Sequence, residues 1–458
     1  MTYHQTLEYL YNRLPVFHHI GSNAYKPGLT NTVHLMEALG NPYRKYHTIH
    51  VAGTNGKGSV SHFLAAILQK AGYKTGLYTS PHLVDFGERI RVNGQMIEQR
   101  FVVDFVEQRK MLFDDIEPSF FEATMAMAFD YFAAQQIDVA IVEVGLGGRL
   151  DSTNVIEPDL SIITNISFDH VGFLGDTLAK IAYEKAGIIK PNTPVIIGEA
   201  LSETRPIFEQ KAAKMNAHII FAEEQHQVHP SKEQYSSVNK MFVDIECEEK
   251  MKLANPVAIG LLGNYQLKNS ATVLSSVAQL NSLIKKENFP PTPLTIGGLI
   301  SEEIIRGGLE NVVEITGLQG RWQILQQQPT VIVDTGHNEA GIRQVVEQLQ
   351  HQQYEILRIV IGMVNDKDIS SVLKLLPKDA VYYFTQAAVA RALSAQEFQQ
   401  QAQRFGLQGS SFSNTKDAVT AALKQSKKDD LVFIGGSNFV VGEVLENWET
   451  LSVRDFTT

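Results

Sequence analysis

Short apolar runs of strand length alternate with longer stretches of helical period along most of the chain. In its first part these runs lie at residues 47–53, 74–80, 138–145, 160–167 and 193–198. After a Gly-rich connection near residue 316, further runs lie at residues 330–336, 356–363, 380–386 and 431–437. Strands that alternate with helices form parallel sheets covered by helices, so the pattern predicts an α/β fold. It predicts a large parallel-sheet domain at residues 1–315 and a smaller α/β domain at residues 316–458.

The stretch between the two series is less regular. Residues 201–258 are polar and irregular, and we predict no particular element or role for them. Residues 264–280 place Ala, Val and Leu on one face at helical spacing, which predicts an amphipathic helix.

Composition narrows the classes of function. The 458 residues carry a formal net charge of −10 and no basic run, which disfavours a nucleic-acid partner. Cys247 is the only cysteine, so an intrachain disulfide is impossible and we expect a reducing compartment. No apolar stretch approaches the roughly 20 residues of a membrane span, and the first residues do not resemble a signal peptide. We therefore expect a cytoplasmic protein without a membrane partner, and a monomer.

The stretch GTNGKGS, residues 53–59, lies between a strand-like run and a helix-like run. In phosphate-binding loops, glycines let backbone N–H groups approach phosphate oxygens, and a lysine reaches the outer phosphates at a helix N-terminus. The usual pattern is only partly met, because Val51 replaces the first glycine and Gly58 moves the hydroxyl to Ser59. A Gly-rich turn with a solvated Lys57 is the alternative.

Polar residues follow several predicted strands. Ser80, Glu143, Asp169 and His170 all lie near predicted strand ends, where the ligand crevice of an open parallel sheet is found. A carboxylate such as Glu143 inside an apolar strand needs a cation or several donors, and Mg²⁺ bridging to phosphates would supply the cation. Alternatively, Ser80 initiates a turn before Pro81 and His170 is a hydrogen-bonded core histidine.

Two further stretches contain unusual residues. The three glycines after Glu143, with Arg149 and Asp151 behind them, suit a tight loop lining the same crevice, although an ordinary strand-to-helix connection is an alternative. Lys185 stands beside Glu184 on a predicted helix, and could belong only to a solvated charge pair.

Taken together, the motifs closely resemble the dihydrofolate synthase/folylpolyglutamate synthases, relatives of the Mur amino-acid ligases. They occur in one order along nearly the whole chain: VAGTNGKGS, TSPHL, ERIRVNG, FFEATMAMAF, EVGLGGRLDSTN, TNISFDH, LGDTLAKIAYEKAGIIKP, GRWQ, VDTGHN and IGMVNDKDI. The resemblance implies a P-loop-type, ATP-binding Mur ligase-like domain with a pterin site, followed by a Rossmann-like ligase domain.

The resemblance also implies a role for individual residues. ATP phosphates would contact Thr54, Asn55, Gly56, Lys57, Gly58 and Ser59, and the nucleotide would also contact Asn269, Arg321 and Asp334. Magnesium would be bound by Ser80, Glu143 and His170. The pterin would lie near Gly28, Leu29, Ser119, Phe120, Phe121, Glu122, Leu150, Asp151 and Ser152. The catalytic groups would be Lys57, His170 and Lys185, of which Lys185 matches a lysine that is carbamylated in the family; a sequence does not show that modification.

The reaction implied is ATP-dependent amide formation. The carboxylate of dihydropteroate or of a reduced folate would attack the γ-phosphate, and the amine of L-glutamate would attack the resulting acyl phosphate; closure of one domain over the other would exclude water. Two alternatives are a Mur-type ligase with another acceptor and a P-loop ATPase or binding module without ligation.

His337 and Arg391 are candidates for contacts to glutamate or phosphate. The sequence departs from the family pattern at Gly336 and Glu339, where alanine and proline are usual, and VARAL lacks the proline before its arginine. These departures affect the expected glutamate side and leave the ligase prediction unchanged.

Overall fold

A computed structural model describes residues 1–14, 28–232, 239–247, 253–292, 294–295, 298–365 and 368–452. They form two compact units. The first unit contains residues 1–82, 86–260 and 265–318, and the second contains residues 83–85, 261–264 and 319–458, within the described parts of the chain. Three stretches interpreted from the sequence lie partly outside the described residues. They are the N-terminal segment, residues 201–258 and the motif at residues 361–369.

The large sheet of the first unit has eight strands in the order β4-β3-β2-β5-β1-β6-β7-β8. Their bounds are β1 His47–Ala52, β2 Thr75–Tyr78, β3 Ile90–Val92, β4 Gln95–Met96, β5 Val139–Glu143, β6 Leu160–Ile163, β7 Val195–Ile197 and β8 Ile219–Phe221. Strands β2, β5, β1, β6, β7 and β8 pair in parallel, while β3 and β4 add an antiparallel edge. Strand β1 is central and β5 is buried along its whole length, as expected for a sheet covered on both faces.

Helices cover this sheet. Their bounds are α1 Tyr3–Arg13, α2 Thr30–Ala38, α3 Lys57–Lys70, α4 Gln99–Ile116, α5 Phe120–Ala134, α6 Val171–Leu174, α7 Leu178–Lys185, α8 Arg205–Lys214, α9 Ala222–Gln225, α10 Gln266–Lys285, α11 Glu302–Glu310 and α12 Val312–Thr316. Helix α3 packs on strands β1, β2 and β5 and also contacts α10, α11 and α12. It is buried from Ser59 to Leu68 because it lies between the sheet and these helices.

A separate antiparallel sheet in the first unit has the order β11-β10-β9. Its strands are β9 His226–Pro230, β10 Met241–Cys247 and β11 Val257–Ile259. This sheet, together with β8, α8 and α9, lies in the region for which the sequence pattern predicted no element.

The second unit contains a six-stranded sheet in the order β12-β13-β17-β14-β15-β16, where β12 pairs antiparallel and the other strands pair in parallel. The strands are β12 Gln323–Gln327, β13 Thr330–Asp334, β14 Leu357–Ile361, β15 Val381–Phe384, β16 Gln408–Ser411 and β17 Leu431–Gly435. The helices are α13 Glu339–Leu349, α14 Ile369–Leu375, α15 Ala395–Gln403, α16 Thr415–Gln425 and α17 Asn438–Ser452.

The α/β prediction is confirmed, and every predicted strand contains an observed one with shorter bounds. The helix predicted at residues 264–280 is α10. Across the described part of the chain, no helix combines the length and the apolar character that crossing a bilayer requires.

Candidate active site

The loop between β1 and α3 requires glycine at two positions. Gly53 has φ +143°, and a Cβ there would lie 1.9 Å from Oγ1 of Thr164. Gly56 has φ +85°, and its Cβ would lie 2.3 Å from Oδ1 of Asn269. Both positions combine a backbone conformation that L side chains rarely adopt with a close neighbour, so the loop can follow this path only with glycine.

The chain that follows β6 holds the loop in place. The backbone N–H of Asn55 donates to Oδ1 of Asn165 at 3.0 Å, and Oγ1 of Thr164 donates to the carbonyl of Asn55. Oγ1 of Thr54 donates to the carbonyl of Ser167 at 3.1 Å. The sequence pattern did not assign Thr164, Asn165 or Ser167 to the site, although polar residues directly after a buried strand were the available signal.

Two lysine side chains converge on one carbonyl of this loop. Nζ of Lys57 donates to the carbonyls of Gly53 at 3.1 Å and Thr54 at 3.0 Å. Nζ of Lys185 donates to the same Gly53 carbonyl at 2.8 Å. The structure therefore brings together, at the carboxyl end of β1, two lysine side chains from α3 and α7.

Lys185 is only 4% exposed. Burial and, to a smaller extent, the charge of Lys57 lower the pKa of its ammonium to about 7, against the opposing effect of Asp169 and Asp151. The alternative interpretation, that Lys185 forms a solvated charge pair with Glu184, is wrong. Glu184 pairs with Arg149 instead, and Oε1 of Glu184 lies 2.9 Å from Nη2 of Arg149.

Of the predicted magnesium residues, Ser80 follows β2 and Glu143 lies at the end of β5, whereas His170 directly precedes α6, seven residues after the end of β6. Glu143 ends β5, is 4% exposed, and accepts the backbone N–H of Ser80 at 3.2 Å. His170 has φ +50° and a partly exposed side chain whose Nε2 lies 3.9 Å from Oδ1 of Asp169, so it is not a core histidine.

These groups fit magnesium in their chemistry. Within the described residues, no three His, Cys, Asp or Glu side chains cluster tightly enough to enclose a metal. The hydroxyl of Ser80 and the carboxylate of Glu143 are oxygen ligands that suit Mg²⁺, which takes few protein ligands and completes its shell with waters and phosphate oxygens.

Helix α10 contacts the loop through two side chains. Asn269 lies against Gly56 and donates from Nδ2 to Oε1 of Gln266 at 2.8 Å, and Gln266 donates from Nε2 to Oγ of Ser59 at 3.1 Å. Ser59 is buried in this contact, so its predicted role at a phosphate stays a prediction. Gln266 was not predicted, although its spacing of three residues from Asn269 places both on one helix face.

The three stretches predicted to hold the pterin lie on elements that contact one another. Leu29, which follows Gly28, precedes α2, and α2 packs on α5 and on the short 3₁₀ helix Ser152–Val155. Helix α5 begins within the second stretch and also packs on that 3₁₀ helix, which itself begins in the third stretch. The ring of Phe121 lies so close to Gly145 that a Cβ there would be 2.5 Å away.

Two carboxylates in this region are occupied by local hydrogen bonds. Glu122 forms a capping box with Ser119 and accepts Oγ1 of Thr32 at 3.0 Å. Asp151 is 4% exposed and accepts the backbone N–H groups of Leu146 at 2.7 Å and Thr153 at 3.0 Å. Burial raises the pKa of Asp151, and these donors partly offset that increase. The ring of Phe120 stacks on Tyr11 at 5.1 Å, while Leu150 and Ser152 are partly buried.

In the second unit, Asp334 is the last residue of β13, and its side chain binds the backbone just before β12. Its carboxylate accepts the backbone N–H groups of Trp322 at 2.8 Å and Gly336 at 2.7 Å. Arg321 donates to Oγ1 of Thr335 and to the carbonyl of Gly320. Arg321 and Asp334 therefore lie in one local network, and their contact with a nucleotide stays a prediction.

The remaining candidates of this unit follow the same strand or lie further along the chain. Nδ1 of His337 is 2.9 Å from the carbonyl of Thr335. Arg391 lies over the ring of Phe439 with its Cζ 5.3 Å from the centroid. Glu339 occupies the first turn of α13, where a carboxylate is as suitable as the family's proline.

Comparison with known proteins identifies the family. Residues 51–277 match the Mur ligase middle domain and residues 320–438 match the Mur ligase glutamate ligase domain. The chain is 35% identical over 438 residues to the dihydrofolate synthase/folylpolyglutamate synthase of Bacillus subtilis, covering 92% of this chain and 94% of the relative. The chain belongs to the dihydrofolate synthase/folylpolyglutamate synthase family. The resemblance drawn from the motifs is thereby confirmed.

Solved structures of this family agree with the fold along nearly the whole chain. Escherichia coli FolC in complex with DHPP and ADP superposes with a TM-score of 0.81 at 28% identity, covering 98% of each chain. A bifunctional folylpolyglutamate synthase/dihydrofolate synthase with Mn, AMPPNP and L-glutamate bound superposes with a TM-score of 0.79 at 28% identity and the same coverage.

Proposed function

We propose that this member of the dihydrofolate synthase/folylpolyglutamate synthase family joins L-glutamate to dihydropteroate, to reduced folates, or to both, through an acyl phosphate. The chain is an ATP-dependent ligase of that family. In the proposed reaction the acceptor's carboxylate oxygen bonds to the γ-phosphorus as ADP leaves. The glutamate nitrogen then bonds to the acyl carbon, phosphate leaves, and the amine gives up a proton.

The observation that carries this proposal is the convergence of Lys57 and Lys185 on the Gly53 carbonyl. The ammonium of Lys57 at the N-terminus of α3, beside a loop that needs glycine, suits the negative charge that builds up on a transferred phosphoryl group. We assign Thr54 to Ser59 and Asn269 to the phosphate end of ATP. From the second unit we assign Arg321 and Asp334 to the nucleotide.

For magnesium we propose the set Ser80, Glu143 and His170. The buried carboxylate of Glu143 at the end of an apolar strand supports this assignment, because such a group needs compensation by cations or donors. When bound, Mg²⁺ would neutralise phosphate charge during phosphoryl transfer. The three residues would hold the ion by hydroxyl, carboxylate and imidazole.

For Lys185 we propose carbamylation. Because burial lowers its pKa to about 7, much of the side chain is a neutral amine near neutral pH, and only the neutral amine has the lone pair to attack CO₂. The nitrogen bonds to the carbon of CO₂ and releases a proton, which leaves a carbamate anion in place of the cation. The expectations of a cytoplasmic monomer stay predictions.

The proposal is tested by ADP release with Mg·ATP and L-glutamate, with dihydropteroate and tetrahydrofolate as separate acceptors. We expect stimulation by at least one acceptor, and its loss in Lys57→Ala. Lys70→Ala changes the same residue type at the exposed end of the same helix, and should keep full activity. Release that needs glutamate but neither acceptor indicates another Mur-type ligase, and release indifferent to glutamate indicates an ATPase.

A further inference from the structure

His50 is a buried polar residue in the central strand β1, three residues before Gly53, where the Gly-rich loop begins. Its side chain is inaccessible to solvent, and burial lowers the pKa of its imidazole to about 3, with a further contribution from the charge of Lys190. The ring is therefore neutral at physiological pH, and a neutral imidazole has one donor and one acceptor nitrogen. The proposed reaction gives His50 no role.

The hydrogen bonds around His50 fix which nitrogen carries the proton. Nε2 of His50 lies 2.9 Å from Oγ1 of Thr153, and Oγ1 of Thr153 donates to Oδ1 of Asp151. A hydroxyl has a single proton, and that of Thr153 is already given to Asp151. His50 must therefore donate from Nε2. Its Nδ1 is then an acceptor, and it is buried without a hydrogen-bond partner among the described residues.

Asp151 is the last residue of this series of hydrogen bonds, and its carboxylate holds the loop that follows β5. Its other carboxylate oxygen accepts a hydrogen bond from the N–H of Leu146, so the carboxylate connects the glycine loop after Glu143 with the 3₁₀ helix that begins at Ser152. The first glycine of that loop, Gly145, is packed against the ring of Phe121. A rotation of the Asp151 carboxylate would therefore move the loop relative to the stretch assigned to the pterin.

We propose that His50 is a positioning residue for the acceptor substrate, which acts through Thr153 to hold the Asp151 carboxylate and the loop that packs on Phe121. This inference rests on the proposed function. In this proposal His50, a polar residue inside the sheet, affects binding of the acceptor substrate. It does not affect the conformation of the loop at Gly53 to Gly56.

Three variants test the inference by steady-state kinetics. His50→Leu removes the Nε2 donor at similar volume, Thr153→Val removes only the linking hydroxyl, and His50→Gln keeps an amide donor near the position of Nε2. The matched control is Ser161→Ala. Ser161 lies on β6 directly opposite His50 on β1. Its buried hydroxyl donates to the carbonyl of Ile188 and takes no part in the hydrogen bonds from His50 to Asp151.

We expect His50→Leu and Thr153→Val each to raise the KM for the acceptor about tenfold, which corresponds to about 1.4 kcal/mol. The KM for ATP should stay within about twofold. The double variant should have the same acceptor KM as either single variant, because both substitutions break the same series of hydrogen bonds. His50→Gln should recover most of the loss, and Ser161→Ala should leave the acceptor KM unchanged.

Several outcomes overturn the inference. An unchanged acceptor KM in a folded Thr153→Val variant does so, even if His50→Leu fails to fold. Equal increases for ATP and acceptor, or the same acceptor defect in Ser161→Ala, would show a general loss of structure. If the wild-type protein uses neither acceptor, the proposed function fails and this inference fails with it; a wild type that responds to an acceptor isolates the test of His50.

Discussion

Replacing Lys185 by methionine should change how the stability of the first unit depends on pH. In the folded protein burial lowers the pKa of this ammonium from 10.5 to about 7. Between these two values the unfolded chain binds a proton that the folded chain lacks, so the free energy of unfolding rises with pH. Below about pH 7 Lys185 is protonated in both states, so folding of the wild type includes the full free-energy cost of burying the charged ammonium.

The size of this effect follows from the two pKa values. Each pKa unit corresponds to about 1.4 kcal/mol, so the full change amounts to at most about 5 kcal/mol. Between pH 7 and pH 9.5 the wild type should gain about 3 kcal/mol from this group. Lys185→Met has no ionisable group there, and its stability relative to the wild type should fall by that amount across this range.

The assay is urea unfolding of both proteins in CO₂-free buffers at a series of pH values. Circular dichroism follows both units, while Trp322 and Trp448 both belong to the second unit, so their fluorescence serves as an internal control. Adding bicarbonate should then alter the stability of the wild type alone if Lys185 is carbamylated. Identical dependence on pH in the two proteins would refute the reasoning.

Two other substitutions test local features of each unit. Gly56→Ala should destabilise the first unit by about 2 kcal/mol or more and weaken ADP binding measured by calorimetry, because a side chain there meets Asn269 and adopts a positive φ. Asn269→Ala should relieve part of the stability loss, and equal losses in both backgrounds would contradict the steric argument. Arg358→Met should cost the second unit about 3–5 kcal/mol, followed by tryptophan fluorescence, because Asp430, 3.0 Å away and fully buried, loses its ion-pair partner. Arg358→Met combined with Asp430→Leu should restore much of that stability, and a double variant as unstable as the single one would show that packing dominates.

The elements that could be predicted from the sequence are those with a strong local signal. Apolar runs bounded by glycine or polar residues predicted β1, β2, β5, β6 and β7 of the large sheet and β13, β14, β15 and β17 of the second unit, but not β3, β4, β8, β12 or β16. The sheet of β9, β10 and β11 was missed because β9 and β10 alternate buried with more exposed positions and so lack the continuous apolar runs of the parallel strands, while β11 has only three residues.

Contacts between distant parts of the chain could not be predicted. The spacing around Lys185 is equally compatible with an exposed helix, and only the tertiary structure places its Nζ against Gly53. Ser59 was assigned to phosphate from its position in the motif, whereas its hydroxyl is covered by Gln266 from a helix far along the chain. His50 stands inside an apolar run, where one polar residue gives no indication of a partner.

The shared carbonyl of Gly53 has a consequence for the choice of anion. Nζ of Lys57 is hydrogen-bonded to two loop carbonyls, so an anion that binds this ammonium must compete with these bonds. A small singly charged anion gains little from this exchange, whereas a polyphosphate can engage Lys57, the loop amides and the helix N-terminus together. We therefore expect this loop to favour a polyphosphate over a singly charged anion, because only the polyphosphate makes several contacts at once.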